Sequence, residues 1–247
     1  IIIAPAKIMK IDRDSFLVES KPEFLDKTKV LEKFLKSRSE DQLTELWHAS
    51  KKVTEQSIEQ LKNMNLDERL TPAILAFSGI QYQYMAPDLF TQPALDYIQK
   101  NLRILSGFYG MLRPFDGVCP YRLELNTKMK GFIDYSLYHF WGDAIAESLF
   151  KDDDTVINLA SKQNRKMITI DFQELKNDQW KTVGVHAKMA RGEMVRFIAE
   201  NQIKNPTELR DFHDFEFQFV PEVSSSDHYV FRTNFDFNEK RPKIPVF

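Results

Sequence analysis

Val156-Ile157-Asn158-Leu159, the run from Met167 to Phe172, Thr182 to Ala187 and then Met189 to Asn201 decide the fold class, because they set three short apolar runs in a row before one long amphipathic segment. Short apolar runs rich in β-branched residues read as strands, and recurrence every three to four residues reads as helix. The order strand, strand, strand, helix has no regular βαβ rhythm. The chain is therefore expected to be α+β, a single compact domain with a helix-rich N-terminal third and strands in its central and C-terminal parts.

Working outward, Ile1 to Ile3 reads as a buried strand closed by the turn Ala4-Pro5-Ala6-Lys7. Ser20-Lys21-Pro22-Glu23 reads as a capping box ahead of Phe24, Leu25, Leu31, Phe34 and Leu35 at helical spacing. Ser39 with Gln42 repeats it before Leu43, Leu46 and Trp47. A third helix is predicted from Thr54 to Met64, so the N-terminal third is helix-rich. Ala73 to Phe77 reads as a buried strand, Pro93 opens a helix through Leu102, and Phe132 to Phe150 reads as one helix. Phe215, Phe217 and Phe219 alternate as a half-buried strand does, with His213 on their face as a core or edge residue. No internal repeat or low-complexity linker interrupts the 247 residues, which favours one domain spanning 1–247.

Composition narrows the function. Apolar residues make up 43%, 20 of the residues are Phe, and a chain of this length can bury a large core. One cysteine, Cys119, excludes an internal disulfide, and no apolar run approaches the length of a membrane span, so the expected location is the cytoplasm. Net charge is −2, yet residues 100–130 carry six basic side chains against two acidic, and residues 181–196 carry four against one. Segregation of this kind can place a positive patch on an acidic body, and such a patch attracts phosphates whatever the net charge.

Phosphate loops, dinucleotide glycine fingerprints, nucleophile elbows and paired zinc-ligand motifs are all absent from the sequence. No catalytic residue is assigned. Glu45-Leu46-Trp47-His48 has the Glu-x-x-His step of a di-iron helix but no second copy, and Cys119 has no zinc partner, so neither a metal nor a cofactor is expected. Phosphate-binding material is better represented. Arg103 and Arg113 flank Gly107 and Gly110; glycines let backbone N–H groups approach an anion, and arginines add charge-assisted bonds. A turn between core elements wants the same glycines. Tyr121 and Arg122 follow, and Arg122 with Glu124 reads either as a positioned pair or as an ordinary surface bridge. In the second basic segment, a helix starting at Met189 puts Lys188 and Arg191 at its N-terminal turn, where free N–H groups and cations converge on an anion, with Arg196 further along. Lys51 and Lys52 lie in a short basic connector between two helices, the outline of a hairpin that grips a DNA backbone, although without a connector glycine it equally reads as an ordinary αα-hairpin.

These residues carry a resemblance. Pro5-Ala6-Lys7, Ala76-Phe77-Ser78-Gly79 with Tyr82, Leu102 through Pro114 with Asp116, Pro120-Tyr121-Arg122-Leu123-Glu124, Phe140-Trp141-Gly142-Asp143, Asn158-Leu159-Ala160-Ser161, and Ala187-Lys188-Met189-Ala190-Arg191-Gly192 with Arg196-Phe197 resemble the YaaA peroxide-stress protein family in order and over nearly the whole chain. The resemblance implies a single-domain fold peculiar to the family, a positively charged cleft, binding to double-stranded or branched DNA, and a part in surviving hydrogen peroxide linked to DNA protection or repair and to low free iron. The chain departs from the family pattern after Ser161 and in the helix-hairpin-helix near 40–64, which has lost its glycine. Two other readings stay open: an enzyme acting on a nucleotide or nucleic acid in a pocket of Lys7, Tyr121, Arg122, Glu124, Lys188 and Arg191, and an iron-sequestering protein. Lys7, Arg103 or Arg113, Arg122, Lys188 and Arg191 are expected to line one cleft, with Asp211 to Phe219 away from it.

Overall fold

In a computed structural model of the chain, which describes residues 1–132, 136–151, 155–160 and 167–237, helix and strand are mixed as an α+β protein. The chain forms two compact units, each assembled from segments distant in sequence. Ile1–Ile3, Ser78–Leu102 and Asp154–Phe247 make one; Ala4–Phe77 and Arg103–Asp153 make the other.

The first unit is built on strands in the order Gln218–Phe219, His228–Thr233, Ile168–Lys176, Ile157–Leu159 and Ile2–Ile3. Its central pairings are parallel: Ile2 lies opposite Asn158, Ile157 opposite Ile168, and Phe231 opposite Phe172. Ile2 and Ile3 are wholly buried, as two apolar β-branched residues in a parallel strand should be. Along Ile168–Lys176 the buried positions are Ile170, Phe172 and Glu174, the period of two that a pleated strand imposes. Phe172 meets Phe217 and Phe231 at centroid distances of 5.0 and 5.6 Å, and Phe212 packs beside them. The inward carboxylate of Glu174 is satisfied by His186 Nδ1 at 2.9 Å and Lys176 Nζ at 3.3 Å. Against this sheet lies the long helix Gly184–Glu200, whose small residues Ala187, Ala190, Gly192 and Ala199 are buried.

In the second unit, helices Leu25–Lys36, Glu40–Trp47 and Lys51–Lys62 turn Leu31, Phe34, Leu35, Leu43, Ile58 and Leu61 inward at helical spacing. The box at Ser39 forms in full: Ser39 Oγ accepts from the Gln42 N–H, and Gln42 Oε1 accepts from the Ser39 N–H. A hairpin of Arg103–Ser106 with Gly110–Leu112 and a strand pair Thr71–Pro72 with Gly117–Val118 complete the unit's sheet material.

Several expectations are corrected. Ser20 caps no helix; its hydroxyl donates to Asp116 Oδ1 at 2.6 Å, and the helix opens at Leu25 with no side-chain cap. Ala73–Ala76 is a one-turn helix, and extended backbone begins only at Phe77; the N–H groups of Ala73 and Ile74 bond to the carbonyls of Asp116 and Pro114. The helix read from Phe132 to Phe150 is two short ones, Leu137–Trp141 and Ala144–Leu149, broken at Gly142 with φ +53°; residues 133–135 lie outside the described residues. The strand read at Thr182 to Ala187 is displaced to Gln179–Lys181, which returns from Ile168–Lys176 through a tight turn at Asn177 and Asp178, both left-handed. At Phe215 the chain makes a 3₁₀ turn with φ +53°, so only Phe217 of the three alternating rings is fully buried. His213 is exposed, its Nδ1 beside the Asp211 carbonyl at 2.9 Å, and is not a core residue.

Candidate functional site

Lys51 and Lys52 are exposed in the first turn of helix Lys51–Lys62, which carries no acidic residue there. Ser50 is its N-cap, but its side chain accepts no bond from the first-turn N–H groups. The preceding helix ends on His48 in the left-handed conformation, φ 43°, a conformation that favours glycine. His48 therefore leaves the helix, and the Glu45-x-x-His48 step does not run along one continuous helical face. Among the described residues no group of three or more His, Cys, Asp or Glu is arranged to hold a metal ion.

The glycine-bearing loop from 106 to 110 is filled by its own core. Ser106 Oγ accepts the N–H groups of Phe108 and Tyr109 at 3.2 and 2.9 Å and shares a 2.7 Å hydrogen bond with the Tyr121 hydroxyl. Tyr109 Oη accepts the Cys119 N–H at 2.9 Å. Burial pushes both phenols well above their ordinary range, and Tyr121 is an interior residue that stacks on Phe108. Gly107 lies against the backbone of Leu123 to Leu125, and Gly110, with φ +75°, lies against the Trp141 ring. Both glycines are thus used for close approach of protein to protein.

Arg103 and Arg113 do converge. With Lys21 they line a cavity of about 160 Å³, together with Glu23 and Asp116. Asp116 is a positioning residue as well as a counterion: its oxygens accept from Ser20 Oγ and from the Arg113 N–H at 2.8 Å, while burial raises its carboxyl above the usual value. Lys7 pairs with Glu124 at 2.9 Å. Arg122 is half-buried, and its Nε is enclosed without an acceptor.

Lys188, Arg191 and Arg196 belong to the first unit. Because their helix begins at Gly184, Lys188 and Arg191 stand in its second turn and beyond, not at its N-terminus, where the free N–H groups and the positive end of the dipole lie. Lys188 is exposed. Arg191 is largely enclosed: Nη1 donates to the Ala160 carbonyl at 3.1 Å, and Nε has no acceptor. Arg196 pairs with Glu200 at 2.9 Å.

Asp214 reaches this helix too, close to Glu193 and Arg196. Burial, and then the charge of Asp214, raise the Glu193 carboxyl to about 7 from an ordinary 4.5. The folded chain then binds a proton that the unfolded chain has released, so stability is lost as pH rises from about 4.5 through about 7. Glu193→Gln is expected to stabilise the protein at pH 8 by about 1–2 kcal/mol, after discounting for solvent access, and to change nothing at pH 4.5. Thermal melts at the two pH values test this; an equal difference at both would reject it.

Arg38, Lys128 and Lys130, which sequence reasoning placed in no site, line a cavity of the second unit of about 870 Å³ together with His48. Lys128 and Lys130 entered only as part of a charge count, and Arg38 stands ninety residues away from Lys128 with nothing in the sequence to join them.

A model of the peroxide stress protein YaaA family matches residues 1–223. Similar chains include UPF0246 proteins of Lactobacillus helveticus, 89% identical over 96% of this chain and 98% of the relative, and of Lactobacillus acidophilus, 79% identical over the same shares. A UPF0246 protein of Agathobacter rectalis is 43% identical over 94% of this chain and 97% of its own.

Proposed function

Because the chain belongs to the peroxide stress protein YaaA family, we propose that it serves the response to hydrogen peroxide in the cytoplasm by gripping the phosphate backbone of duplex or branched DNA. The observation that carries this reading is Arg122, whose guanidinium Nε is enclosed without an acceptor. A buried donor without an acceptor costs about 1–3 kcal/mol, and charge-assisted bonds from the rest of the guanidinium to a phosphate offset that cost. Arg191 has the same defect in the other unit. Lys51 and Lys52, on an uncapped helix start, supply exposed cations and first-turn N–H groups to a backbone phosphate. Such contacts carry no base information, so binding is insensitive to sequence and sensitive to salt.

Mobility-shift titration of a duplex and of a four-way junction between 50 and 200 mM salt tests the reading. Binding should fall steeply over that range, and Lys51→Ala with Lys52→Ala should flatten the slope by up to about two and weaken all sequences alike. Arg122→Gln should lower affinity about tenfold or more at every salt concentration. If the wild-type chain retards neither DNA at 50 mM salt, the reading is lost.

A further inference from the structure

The cavity bounded by the end of helix Leu25–Lys36, the helix Glu40–Trp47 and residues 128–131 is basic in an unusual way. Among the described residues, neither Arg38 nor Lys128 has an ion-pair partner. Lys130 shares its charge with Glu45 across 3.6 Å, and Glu45 is the one acid among the described residues lining the cavity. His48, projected by its left-handed backbone, stands on the same wall.

Arg38 is also held in place. Its guanidinium lies over the Phe34 ring, 4.7 Å from the centroid, and its Nε and Nη2 donate to Ser37 Oγ at 3.3 and 3.1 Å. Nη1 lies beside Gly131, where an added Cβ would stand 3.7 Å away. Two bonds to a neighbouring hydroxyl and one aromatic face reduce the freedom of a side chain that would otherwise lose much entropy on binding. Uncompensated cations brought to one concave surface repel each other, and an anion between them removes that cost.

We propose that this cavity binds a phosphomonoester, with Arg38 and Lys128 on its oxygens and His48 and Lys130 at its rim. The class follows from charge and shape. A phosphomonoester has its second pKa near 6 and carries close to two negative charges at pH 7, whereas an internal diester of a strand carries one. An internal diester is also flanked by chain on both sides and suits an open surface. A terminal phosphate enters a cavity, and about 870 Å³ lies within the roughly 300–1,000 Å³ range of small-ligand sites. A 5′-phosphorylated strand end and a free mononucleotide present the same group. The site is distinct from Lys51, Lys52 and Arg122 and does not depend on the backbone-binding reading.

Fluorescence anisotropy of one short single strand, prepared with a 5′-phosphate and with a 5′-hydroxyl, tests the proposal, with adenosine monophosphate as competitor. The wild-type chain should favour the phosphorylated strand about tenfold or more, and Arg38→Gln with Lys128→Gln should abolish the preference. Displacement by the mononucleotide as effective as by the phosphorylated strand assigns the site to free nucleotides; displacement more than about tenfold weaker assigns it to strand ends. Equal affinity for the two strands with no displacement by the mononucleotide overturns the proposal, as does a preference that survives the double substitution. Lys128→Gln alone, at an exposed residue, keeps the test open if the double variant does not fold. A duplex with 5′-hydroxyl ends, run beside these, reports backbone binding separately.

Discussion

Gly192→Ala is expected to lower stability by about 3 kcal/mol and the melting temperature by roughly 6–12 °C. Gly192 sits in the middle of helix Gly184–Glu200 where the short helix Ile80–Met85 crosses it. A Cβ there would stand 2.3 Å from the Gln81 carbonyl oxygen, 2.9 Å from the Met85 nitrogen and 3.0 Å from Tyr84 Cβ. The first two are backbone and the third is a Cβ, so no rotamer change makes room and the helices must separate. In a close-packed interior that separation removes contacts on both faces. Gly184→Ala provides the contrast, because nothing lies within 4 Å of the added atom and the residue opens the same helix. It should be neutral or stabilising by up to about 1 kcal/mol. Circular dichroism melts of both variants decide the matter. A Gly192→Ala protein melting within about 2 °C of the parent would mean that the two helices are not held at this distance.

What was legible in the sequence was what repeats. Leu31, Phe34 and Leu35, and the box of Ser39 with Gln42, announce their helices because a helix buries one stripe and leaves four N–H groups to cap. Ala73 to Phe77 announced nothing so definite. A run buried on every side has no period to read, and there the choice of helix fell to the carbonyls of Pro114 and Asp116, forty residues away. Thr182-Val183-Gly184-Val185 looked like a strand by local preference, yet the true strand stops at Lys181, and the helix starts five residues before Met189. That slip moved Lys188 and Arg191 from the first turn of the helix into its body and removed the best sequence argument for an anion there. For the candidate site, residue type was readable and direction was not. Tyr121 offered a hydroxyl on paper; in the fold Ser106 takes it. Arg38, His48 and Lys128 share a cavity that no spacing in the sequence connects.

Gly107 is where the packing and phosphate readings of the basic loop part company. If Gly107 serves close approach of backbone, Gly107→Ala should cost about 2–4 kcal/mol, lowering the melt by roughly 5–15 °C. The added Cβ would meet the Leu123 carbonyl oxygen at 2.4 Å, and the Glu124 carbonyl carbon and Leu125 nitrogen both at 2.9 Å. All three atoms are main chain, and the Gly107 carbonyl is itself held by Trp141 Nε1 at 3.1 Å, so the loop has no direction in which to retreat. If the glycine serves instead to admit an anion to a free N–H, the variant should melt with the parent and lose DNA affinity alone. The amides that such a site would need from Phe108 and Tyr109 are already given to Ser106 Oγ, which favours the first outcome. Measuring the melt and the duplex affinity on the same preparation separates them. A variant with an unchanged melt and binding reduced tenfold would return Gly107 to the phosphate-binding residues; a lowered melt leaves it in the core, with Arg103, Arg113 and Arg122 as the cations that the loop presents.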